Sequence, residues 1–67
     1  MVAVLGGLIM RFYKVVLEVR FRSSGRVGIV TFQEYADSVS AASDLAIDYS
    51  IQNLFYDVLN VLSVYEI

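Results

Sequence analysis

The chain changes hydrophobic period along its length. Between residues 11 and 22, Tyr13, Val15, Leu17, Val19 and Phe21 alternate with Phe12, Lys14, Val16, Glu18, Arg20 and Arg22. Successive side chains of an extended strand point to opposite faces, so this alternation predicts a half-buried strand with its odd positions inward. Ser23, Ser24, Gly25 and Arg26 interrupt it, and Gly25 can adopt a positive φ at no steric cost. A second run of strand formers covers 26–35. A two-residue loop at Ser24 and Gly25 would set Val19 opposite Val30 and Leu17 opposite Phe32 on the inner face. Glu18 would then meet Thr31, and Arg20 would meet Ile29, on the outer face. Turn chemistry and hydrophobic pattern therefore both predict one hairpin, 11–22 with 26–35. Upstream, Gly6 and Gly7 suit a two-residue loop that folds 2–5 back onto 8–11 as an extra strand. The rival reading of 1–9 is an apolar leader that docks on a neighbouring copy.

Over 38–55 the period becomes helical. Val39, Ala41, Ala42, Leu45, Ala46 and Tyr49 fall in one arc of about 160° at roughly 100° per residue, opposite Ser40, Ser43, Asp44, Asp48 and Ser50. Asp37, Ser38 and Ser40 are the candidate N-caps. Ile47 and Ile51 break the polar side four residues apart, which predicts a second packing surface on the helix. Asp57 and Asn60 punctuate the C-terminal stretch, and 60–67 is rich in strand formers, although helical spacing also exists there. The predicted fold is a small single-domain α+β protein, β-β-α-β, with or without the extra N-terminal strand. Its antiparallel sheet carries one amphipathic helix on one face. Such a sheet leaves open edges and an uncovered outer face bearing Phe12, Val16 and Ile29, both natural places for another chain to bind. The outline resembles that of many small accessory proteins of bacteria and their phages, a likeness of pattern with no motif behind it.

Composition sharpens the picture. At 58% hydrophobic the 67-residue chain is well above the roughly 45–50% of an ordinary soluble domain. A domain this small hides apolar surface poorly, so partners are expected, foremost copies of itself. A membrane span is not expected. The uncharged run at 1–10 is half the roughly 20 residues a spanning helix needs, and 51–64 is interrupted by Gln52, Asn53, Asp57 and Asn60. The leader lacks the features of a secretory signal, and Met10 is an alternative start. The absence of cysteine suits a cytoplasmic protein.

The absence of cysteine and histidine also excludes disulfides, zinc sites of the usual kind, imidazole bases and thiol chemistry. There is no phosphate loop and no nucleophile elbow, and Asp44 with Asp48 supplies too few oxygens for a hard cation. A non-catalytic protein without cofactor or metal is the expectation.

Charge is segregated. Five basic residues against one acid occupy the first 26 positions, and six acids with no base occupy the rest. Lys14, Arg20, Arg22 and Arg26 form a candidate contact surface on the hairpin for a partner's carboxylates or for phosphates. Asp44 and Asp48 form an acidic strip on the helix that could meet a basic partner or simply stay solvated. A pI near 4.7 disfavours nucleic acid. The predicted function is a self-associating protein–protein interaction module, an assembly or regulatory/inhibitory accessory factor. The alternatives are a small nucleic-acid binder using the basic hairpin and a peripheral membrane protein using the apolar N-terminus.

Overall fold

The computed structural model describes residues 2–52 and 55–67. Five elements succeed one another: β1 (Val2–Leu5), β2 (Leu8–Phe21), β3 (Val27–Ala36), α1 (Val39–Gln52) and β4 (Tyr56–Glu66). The fold is α+β, with the predicted strand-strand-helix-strand order and the extra strand in front of it. Helix α1 ends at Gln52, and the rest of the expected helix includes residues 53 and 54, which lie outside the described residues. Strand β4 starts at Tyr56, four residues before the expected start, because Asp57 and Asn60 are satisfied on the sheet rather than in a turn.

All strand pairing runs through β2, and all of it is antiparallel. Gly6 and Gly7, both at positive φ, make the two-residue loop that sets Leu5 opposite Leu8 and Val2 opposite Arg11. On its other edge β2 pairs with β3 from Arg11↔Ala36 to Arg20↔Val27. Strand β4 continues beyond β1 along the same edge, from Tyr13↔Glu66 to Phe21↔Tyr56. At about 3.3 Å per residue, the 14 residues of β2 span roughly 46 Å. They set the 43 Å long axis of the molecule, which is only 14 Å thin.

The hairpin faces are as predicted but the register differs by two residues. Leu17 meets Val30 and Val19 meets Gly28, in place of the expected Leu17–Phe32 and Val19–Val30 pairs. The cause is a four-residue loop, 22–25. The Gly25 N–H donates to the Phe21 carbonyl (2.8 Å), the Phe21 N–H to the Arg26 carbonyl (2.8 Å), and the Arg26 N–H to Ser24 Oγ (3.2 Å). Gly25 takes φ 70°, the left-handed conformation that closes this longer turn. A shift of two leaves every side chain on its own face, so the hydrophobic pattern could not detect it.

Tyr13, Val15, Leu17 and Val19 are buried on the inner face with Ala36, Ala42, Ala46 and Tyr56, and Phe21, Val30, Phe32, Val58 and Val64 pack around them. The helix buries Ala42, Ala46 and Ser50, not the full predicted arc, and leaves Val39, Leu45 and Tyr49 substantially exposed. Small side chains four residues apart let the helix backbone lie close to the sheet, which rotates the larger residues to its flanks. Ser50 tolerates burial because its hydroxyl donates to the Ala46 carbonyl at 2.8 Å. Ser38 is the N-cap, its Oγ accepting from the Ala41 N–H at 3.1 Å.

Candidate interaction surface

This frame presents three surfaces: the outer sheet face, the two open edges and the flanks of the helix. On the outer face, cross-strand rows run through the even positions of β2. Phe12 lies against Tyr35 with ring centroids 4.6 Å apart. Lys14 stands between Gln33 and Tyr65, Val16 between Thr31 and Ser63, Glu18 between Ile29 and Asn60, and Arg20 between Val27 and Asp57. The Asn60 side-chain amide donates to Glu18 Oε1 at 2.9 Å. Phe12 and Val16 are half-buried while Ile29 is 65% exposed, so the most apolar open part of this face is on β3.

Folding brings two of the five basic residues onto acids from the other half of the sequence. Arg22 Nη2 meets Asp57 Oδ1 at 2.7 Å, with Nε of the same guanidinium at 3.1 Å, and Arg11 meets Glu66 at 3.0 Å. Both pairs end on β4, one starting from Arg11 in β2 and the other from Arg22 in the loop that follows it. Among the described residues, Lys14, Arg20 and Arg26 form no ion pair, and Lys14 is six strand positions, roughly 20 Å, from Arg20. The four hairpin cations are therefore not one patch. Asp44 and Asp48 are both exposed on the helix. They border a shallow groove of about 370 Å³ lined also by Met10, Ala36, Ala41 and Leu45.

Ile47 is half-buried and Ile51 is 69% exposed. They form one wall of an open groove of about 470 Å³ between α1 and β4, whose other wall holds Tyr56, Val58 and the Arg22–Asp57 pair. Beside β3, Phe32 and Tyr49 stack nearly parallel, 9° apart in plane with centroids at 6.5 Å. Glu34 lies next to them, and burial raises its carboxyl pKa above the ordinary value. Among the described residues, no three acidic groups stand close enough to hold a metal ion, and no helix is long and apolar enough to cross a membrane.

The edges differ in kind. The Phe21–Arg26 bond makes odd residues of β2 and even residues of β3 the bonded partners. Consistently, even residues of β2 serve the other side: Phe12 accepts from the Ile67 N–H (2.8 Å) and the Arg22 N–H donates to Phe55 (2.9 Å). The backbone groups of Val27, Ile29, Thr31 and Gln33 therefore point away from β2, along an edge where no described strand lies. This edge runs ten residues with no register shift, no proline and one charge, Glu34. The edge of β4 is interrupted by two bulges, where Leu62 and Leu59 are skipped in the pairing. Sequence reading missed Thr31 and Gln33; the available signal was a predicted edge strand without the lysine, proline or bulge that usually guards one. Within the segment expected as a strand or an apolar leader, Val4 and Ile9 form a cross-strand pair 66% and 61% exposed on the β1–β2 arm. Comparison with protein-family models, with curated proteins and with solved structures finds no match.

Proposed function

We propose that this chain is a non-catalytic, self-associating interaction module that acts by binding protein, as an assembly or regulatory/inhibitory accessory factor. The observation that carries the reading is apolar surface left open after folding: Val4, Ile9, Ile29 and Ile51 are each more than 60% exposed, beside two open sheet edges. Catalysis has no support in the residue set, which lacks histidine and cysteine, and the grooves are shallow. Nucleic-acid binding ranks lower because Arg11 and Arg22 are engaged with Glu66 and Asp57.

Light scattering of the full chain and of a chain starting at Met10, over a wide concentration range, tests this reading. Assembly of the full chain is the expected result. A full chain that stays at 7.5 kDa up to high micromolar concentration removes self-association from it.

A further inference from the structure

We propose that two copies of this chain join through the open edge of β3, antiparallel about a two-fold axis at Thr31, to give one continuous eight-stranded sheet. The proposal rests on the self-association reading and adds to it the surface, the register and the symmetry.

The outward backbone groups of β3 belong to odd residues, so an antiparallel copy must set odd residue against odd residue. Several registers satisfy that rule. One of them, with Thr31 opposite its own symmetry mate, engages Ile29, Thr31 and Gln33 in about six new backbone bonds. It pairs Thr31 with Thr31 and Ile29 with Gln33 on the outer face, and Val30 with Phe32 on the inner face. β-Branched, threonine and aromatic cross-strand pairs of this kind are favourable. The single charge in the strand narrows the choice. Glu34 falls opposite Gly28 of the second copy, and the two Glu34 carboxylates stand six positions apart, roughly 20 Å. Registers slid towards the C-terminal end of β3 bring those carboxylates together.

The edge is thus complementary to itself, which is what a two-fold contact between identical chains requires. The same contact covers Ile29 and Val27, 65% and 53% exposed, and brings Val30 of the second copy to the Phe32–Tyr49 stack. The β4 edge, bulged twice, offers no comparable straight run.

Directly bonded antiparallel residues have Cα atoms about 5.5 Å apart, inside the roughly 4.4–6.8 Å range of a disulfide. The chain has no cysteine of its own, so single-cysteine variants report the contact directly. Thr31→Cys of the full chain, oxidised with glutathione, is expected to give a covalent species of twice 7.5 kDa. Ile29→Cys is expected to give none, because its mates stand four positions apart, roughly 13 Å. A mixture of Ile29→Cys and Gln33→Cys is expected to cross-link. Thr31→Pro removes only an outward N–H, so it is expected to stay folded by circular dichroism and to lose assembly in light scattering.

Three results overturn the proposal: cross-linking of Ile29→Cys as readily as Thr31→Cys, a folded Thr31→Pro that still assembles, or no cross-link at Thr31→Cys. If the wild-type chain still assembles in those cases, the interaction reading stands and only this surface falls. A monomeric wild type overturns self-association itself.

Discussion

The Phe21 ring occupies the space where a side chain on Gly28 would begin. A Cβ built on Gly28 would come within 2.7 Å of Phe21 Cε2, closer than real Cβ contacts allow. Phe21 is also held edge-on by Tyr56, with centroids 6.1 Å apart and planes at 79°. The glycine in β3 is therefore a packing choice, made so that an aromatic from the neighbouring strand can lie across it.

Gly28→Ala should destabilise the fold by about 1 kcal/mol. Displacing the ring costs roughly 1–3 kcal/mol as overpacking, offset by the roughly 0.5–1 kcal/mol that alanine recovers in backbone entropy. Denaturant melts of Gly28→Ala, Phe21→Leu and the double variant check it. The two substitutions should be non-additive, with Phe21→Leu absorbing most of the alanine penalty.

Ala46→Leu should be far more damaging than any change on the exposed helix face. Ala46 is fully buried at the point where α1 lies on the sheet, so a larger side chain must lift the helix. A loss of about 2–3 kcal/mol is expected, read as a lower denaturant midpoint. Ser50→Ala, one turn further on, should stay within about 1 kcal/mol of wild type, because its hydroxyl serves only the Ala46 carbonyl of its own helix.

Ser38→Ala should cost about 1 kcal/mol, since the Ala41 N–H loses its acceptor at the start of α1. Ser40→Ala should be close to neutral by comparison. Thermal melts of the two variants separate the real cap from the decoy.

Glu34→Gln should stabilise the chain at neutral pH and lose that advantage in acid. Burial raises the Glu34 carboxyl, so ionising it costs more in the folded chain than in the unfolded one. Its favourable contribution is complete below the ordinary glutamate value of 4.5 and disappears as pH climbs through the raised folded value. Melting wild type and variant between pH 3.5 and pH 7 should give curves that converge at the acid end and separate at the neutral end, with the variant higher.

Parity and composition account for the part of the fold that was legible in the sequence. The alternation from Tyr13 to Phe21 assigned the inner and outer positions of that part of β2, and Gly6-Gly7 supplied one of the two readings of 1–9, the hairpin that forms. Loop length lay beyond that logic. A loop of two residues and one of four put the same side chains on the same faces, so only the bonds around Gly25 distinguish them. The rotation of α1 was hidden for a related reason. Apolarity alone favoured Leu45 and Tyr49, whereas the close approach of helix to sheet selected the small residues Ala42, Ala46 and Ser50. Among the candidate contact residues, Arg22 is met by Asp57 across a sequence separation of 35, as Arg11 outside that set is met by Glu66 across 55. No local pattern encodes that partner.

The central position of β2 has one more consequence. Strands β3 and β4 run parallel, are joined by α1, and are bonded to β2 but not to each other. Without β2 they form a two-pronged fork with a gap one strand wide, roofed by the helix and walled by Val30, Phe32, Val58 and Val64. The molecule is an insert and its receptacle, written as one chain and joined by the loop 22–25. Its stability is the affinity of that receptacle for a strand, made unimolecular by a four-residue tether.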